Sequence, residues 1–200
     1  MKKVELQENL ETMLGEACER HLKKILPDFS EETILSYTIF CSAGCRSFGV
    51  AIATDRNISN TDSDSMFNVS KWTNVNEYFR IFGEVDLLVE KIYNIFYEED
   101  LEDVNLDEMD SEELWSFING FFIDSVSNVI NGLVNKNAFS SIQFSKDVLF
   151  GIQFGDPDKY ELDMMEKVSF QVNSDKWHSK LKNYINNKEL NENKNSVLFG

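Results

Sequence analysis

The side chains best suited to acid–base or metal chemistry gather in one short stretch, GDPDKYELD, where Asp156, Asp158, Glu161 and Asp163 follow an apolar run. Carboxylates this close together can move protons or bind a divalent cation. The stretch has no glycine at the sixth position of a calcium loop and no glutamate at the twelfth, and its turn also reads as the cap of the helix that follows. Arg46, the one base in the turn SAGCRS, could clamp an anion there. The two histidines, His21 and His178, have no motif around them and read as surface or interfacial residues rather than general bases. No HExxH, GxSxG, P-loop or GxGxxG pattern occurs. The three cysteines, Cys18, Cys41 and Cys45, are an odd number in a chain without an export signal, which favours reduced thiols. Cys41 and Cys45 have neither a partner CxxC nor a nearby histidine, so zinc is not indicated, and a buried strand cysteine and a turn cysteine are expected. No cofactor is expected.

Charge is the more distinctive property. Thirty-five acids against nineteen bases give a net charge of −16, a surface that repels phosphate backbones and attracts a basic protein. Ten of the acids fall between Glu98 and Glu113, with no Lys or Arg among them. Such a run reads either as a solvated connector or as a contact surface. The first is the ordinary reading, and two features raise the second beside it: the run lies between two helical patterns, and it carries apolar anchors of its own in Leu101, Val104, Leu106 and Met109. The candidate partner-binding residues are therefore Glu98, Glu99, Asp100, Glu102, Asp103, Asp107, Glu108 and Asp110.

The elements that must position these groups follow from periodicity. Leu6, Leu10, Met13, Leu14, Ala17, Leu22 and Ile25 recur at helical steps and stop before Pro27. Thr33 to Cys41 and Phe48 to Thr54 are rich in β-branched and aromatic residues and read as a hairpin closed by the Gly44 turn. Asp55 to Ser70 reads as a polar surface loop. A helix is expected through Val85, Val89, Ile92 and Phe96, starting between Asn74 and Glu84, and a stronger one from Leu114 to Leu133, capped at Ser111. Asp147 to Phe154 alternates as a strand, followed by helices over Tyr160–Val168 and Ser174–Ile185.

This order predicts an α+β fold, with a small, mainly antiparallel sheet (a hairpin at about 33–54 plus a strand at about 147–154) packed against several helices. One domain is expected over residues 1–186, with 187–200 a flexible tail. The N-terminus lacks an uninterrupted apolar stretch, and no window reads as a membrane span, so a cytoplasmic protein is expected, with neither membrane nor nucleic acid as partner.

The strand pair YTIFCSAGCRSFGVAIAT, the KW after the polar loop, and the late strand ending in FGDPD resemble a bacterial family known as domain of unknown function 4303. The positions carrying the resemblance are Tyr37, Gly49, Thr54, Trp72, Gly155, Asp156 and Asp158. It spans roughly residues 3–185 and departs from the family's pattern between residues 55 and 113. The family has no established activity, so the resemblance implies no catalytic residue. In class and charge, though not in motif, the chain is similar to immunity proteins of bacterial toxin systems. The expected function is a non-enzymatic acidic module that binds and neutralises a basic, toxin-like protein. Two alternatives stay open: a small enzyme or metal- or anion-binding protein with Asp156, Asp158 and Arg46 at its site, and a homo-oligomeric structural protein joined through Trp72, Tyr78, Phe79 and Phe82.

Overall fold

The structure is a computed structural model that describes residues 1–58, 63–98 and 101–198, apart from the side chains of 63, 189 and 191–198. Among the described residues it has an α+β fold of five α-helices and one four-stranded sheet. Helix α1 (Lys3–Ile25) ends in a 3₁₀ turn, Leu26–Phe29, with Pro27 at its start, where the missing N–H costs nothing. Strands β1 (Ile34–Cys41) and β2 (Phe48–Thr54) form the expected antiparallel hairpin, with Tyr37 opposite Ile52 and Cys41 opposite Phe48.

A third strand, β3 (Asn74–Val75), extends the sheet beyond β2, which periodicity could not show over two residues. Its approach explains Gly49: the Asn76 side chain lies where a Cβ at that position would be, 1.9 Å from its Oδ1. The polar stretch after β2 is also not a plain surface loop. It forms short 3₁₀ turns, and Met66, Phe67 and Val69 are buried, with Phe67 against Trp177 and Tyr184. Trp72 is buried too and donates its indole N–H to the Ser65 carbonyl at 2.8 Å. Helix α2 (Gly83–Glu98) begins at Gly83 itself, after a 3₁₀ turn at Phe79–Phe82. Of the four aromatics proposed for a self-interface, Trp72 and Phe82 belong to the core, and only Tyr78 and Phe79 are exposed.

Helix α3 (Ser111–Asn135) is long and apolar enough to cross a membrane by length and composition, but 56% of that stretch is buried inside the protein, where it packs on α1, α4 and β4. That is how a core helix behaves. Strand β4 (Phe144–Phe154) starts three residues earlier than its alternation predicts and pairs with β1 in parallel, with Cys41 beside Phe154. The strand order is β3-β2-β1-β4. Both faces of the central strands are covered. One carries Tyr37, Ile39, Val50 and Ile152, the other Ser36, Thr38, Ala51 and Gln153, and all of these are buried. Helix α4 (Lys159–Val172) packs on β4 and α3, and α5 (Asp175–Leu198) on α4. The α5 backbone stays helical past Asn186, where the sequence pattern ends it. Asn173, between α4 and α5, closes the outer edge of β4 by accepting the Phe150 N–H at 3.0 Å and donating to its carbonyl at 2.7 Å.

His21 is not a surface histidine. It is fully buried in α1, with Nδ1 3.3 Å from the Tyr37 hydroxyl and its ring against Tyr37, Tyr78 and Phe82. Burial holds its pKa down at about 4. The folded state therefore binds fewer protons here than the unfolded chain, and stability is lost as pH falls from about 6.5 towards 4, by about 3 kcal/mol in all. Urea unfolding followed from pH 7.5 down to 4.5 should show this loss in the native chain and a shallower slope in His21→Leu; equal slopes would contradict it.

Candidate functional site

The acidic run connects α2 to α3, and its apolar residues alternate with its acids in burial. Leu101 and Leu106 are buried and Val104 and Met109 half-buried, while Glu102, Asp103, Asp107, Glu108 and Asp110 are exposed. Backbone and side-chain bonds clip it to the start of α1. The amine of Met1 meets the Glu102 carboxylate at 2.9 Å, the Glu102 N–H donates to the Met1 carbonyl at 3.2 Å, and the Lys3 N–H donates to Asp103 Oδ1 at 2.9 Å. A tight turn follows, in which the Met109 N–H reaches the Leu106 carbonyl at 3.1 Å.

The eight candidate acids divide by what they already hold. Glu99 and Asp100 lie outside the described residues. Glu102 and Asp103 fasten the connector. Asp110, rather than Ser111, is the N-cap of α3: its carboxylate accepts the N–H groups of Glu112 and Glu113, both at 2.9 Å, while Glu113 reaches back to the Asp110 N–H. Glu98, Asp107 and Glu108 are exposed and make no hydrogen bond or ion pair among the described residues. Among the described members of the set, these three are the unengaged acids.

A second feature has its origin in the sheet. Because β1 and β4 are parallel, the turn after β1 and the turn after β4 lie side by side, and the Gly44 N–H donates to Glu161 Oε1 at 3.3 Å. These turns, α3, α4 and part of α5 enclose a groove of about 1400 Å³. Gly44 and Cys45 are both left-handed, at φ 63° and 57°, and the first is a conformation glycine adopts without strain. The Tyr93 hydroxyl donates to the Gly44 carbonyl, and the Arg46 guanidinium lies 3.7 Å from the centre of the Tyr93 ring. Arg46 makes no ion pair among the described residues.

The groove thus brings Arg46 together with Asp158 and Glu161. Asp158 caps α4 and accepts the Glu161 N–H at 2.9 Å, and Glu161 accepts from Asp158 N–H at 3.0 Å as well as from Gly44. Both carboxylates are already engaged in holding turns. Asp156 stands fully exposed, 3.7 Å from Lys188. Among the described residues no group of three His, Cys, Asp or Glu side chains is arranged to hold a metal ion. The thiols are buried and unpaired, Cys18 pushed up to about 12 and Cys41 raised well above its ordinary value by burial, so neither is a nucleophile at neutral pH. His178 sits at the groove wall with its ring edge-on to Phe170 at 5.4 Å.

Sequence reading missed the groove because its walls come from four separate segments, the first and last more than a hundred residues apart. The one available signal was the isolated Arg46 in a neutral turn. No family model, curated protein or solved structure matches the chain, so its chemistry is read from this geometry alone.

The division of the acids has a direct consequence. Asp110→Ala should cost about 1 kcal/mol of stability through loss of the cap, while Glu108→Ala, which loses no bond, should change it by less than about 0.5 kcal/mol. Denaturant titration of the two variants distinguishes a helix-capping acid from a free one, and equal losses would contradict the assignment.

Proposed function

We propose that the chain is a non-enzymatic, acidic binding module of immunity type that holds a basic, toxin-like protein domain. One observation carries the reading: the acidic connector is fastened to the core by its own apolar residues and by α1, so its free carboxylates are presented from a fixed backbone. A partner then meets charge whose ordering entropy was lost on folding, which favours affinity as well as encounter rate. The net charge of −16 adds long-range attraction for a basic surface. The kinship to domain of unknown function 4303 and a cytoplasmic setting are parts of the same proposal. An enzyme reading has less support, because the carboxylates nearest Arg46 cap a helix and brace a turn.

The test uses the whole chain, immobilised in low-salt buffer and exposed to the proteins of its host. It should retain a protein of basic isoelectric point. Against that protein in purified form, the variant combining Glu98→Lys, Asp107→Lys and Glu108→Lys should associate at least about tenfold more slowly, with the gap closing as salt rises. Retention of no basic protein, or association unaffected by the reversal, would contradict the proposal.

A further inference from the structure

The groove beside the connector has features that the connector alone does not explain. Three large aromatic side chains line it in contact with solvent: Trp115 is 43% exposed, Tyr160 66% and Phe170 73%. They come from two helices and face one concavity, and clustered exposed apolar surface of this kind marks an interaction site. At about 1400 Å³ the space exceeds what a drug-sized ligand fills and suits a length of polypeptide.

The charge around it is uneven. Lys167 is paired with Asp163 at 2.7 Å and Lys182 with Glu166 at 3.3 Å, while Asp158 and Glu161 line the same side with no ion pair among the described residues. On the α3 side Glu112 stands one turn before Trp115 on the same face, Asp124 lines the groove further along the helix, and neither carboxylate has an ion pair among the described residues. Tryptophan offers the strongest face for a cation, and the free Glu112 carboxylate one turn away strengthens that preference. In the Gly44 turn, which adjoins Trp115, Arg46 lies over the Tyr93 ring, which leaves its N–H edges free to donate.

We infer that this groove seats an extended cationic segment of the basic partner, with an Arg or Lys side chain stacked on Trp115 beside Glu112, and with Asp124 further along the segment's path. The segment's backbone carbonyls accept from Arg46. The inference rests on the binding-module reading and names the place where that module grips: the connector speeds arrival, and the groove slows departure. Trp115 is then the residue whose loss is felt most in the dissociation rate.

An amide-detected NMR titration of the full chain with tetra-arginine amide at low salt tests this, with tetra-glutamate as the control. Shifts should concentrate on the Trp115 indole N–H and the Gly44 and Gly120 amides. Trp115→Ala and Asp124→Lys should each weaken binding about fivefold, and the second, an exposed position with no bonded partner, keeps the test valid if the first disturbs the fold. Tetra-glutamate should move none of these signals. Shifts confined to amides between Leu101 and Asp110 would overturn the inference and leave the binding-module reading standing. So would the absence of any shift, since that reading is judged by retention of a basic protein and its response to charge reversal.

Discussion

A strand that pairs antiparallel on one edge and parallel on the other places its own C-terminal turn beside that of its parallel neighbour. Here β1 is that strand. Its pairing with β4 sets Cys41 next to Phe154 and so joins the Gly44 turn to the start of α4 through the Glu161 carboxylate. The two turns that meet at the groove are positioned from this end of the sheet. The left-handed Gly44 lets the turn close, Tyr93 holds its carbonyl, Arg46 is laid on the same ring, and a methyl group at Gly44 would stand 3.7 Å from the ring of Trp115. Removing the parallel pairing would separate the Gly44 turn from Glu161 and the start of α4.

The acidic connector solves a different problem. Ten carboxylates in sixteen residues repel one another, and a free loop of that composition would extend into solvent. Burial of Leu101 and Leu106 offsets the repulsion, at about 25 cal/mol per Å² of apolar surface removed from water. The clip to Met1 and Lys3 and the Asp110 cap place three of the acids where N–H or ammonium groups neutralise them. What remains outward is a small set of unpaired charges on an ordered backbone.

Much of the fold was legible because long helices and alternating strands write their period into the sequence. The stripe from Leu114 to Leu133 and the hairpin from Ile34 to Thr54 lie where their patterns place them. The parallel direction of β4 was not legible, since alternation gives a strand but no partner. Buried polar residues misled in the same way: His21 looks like a surface residue beside Arg20 and Lys23, yet it turns inward onto Tyr37. The segment around Phe67 and Trp72 reads as polar because its few large apolar residues, which are the ones buried, are spaced among Asn, Asp and Ser. For the site, the sequence marked the acids and Arg46 but could not distinguish a carboxylate that caps a helix from one left free. That distinction depends on which N–H groups lie within reach.

A connector that presents charge to a partner must be a fixed surface. Native-state hydrogen exchange measures this directly through the amides of Glu102, Met109 and Leu114, which donate to Met1, Leu106 and Asp110. The account predicts that all three exchange at least about a hundredfold more slowly than the same residues in an unstructured peptide. Exchange at the unstructured rate from Leu101 to Leu114 would show a solvated loop and contradict it.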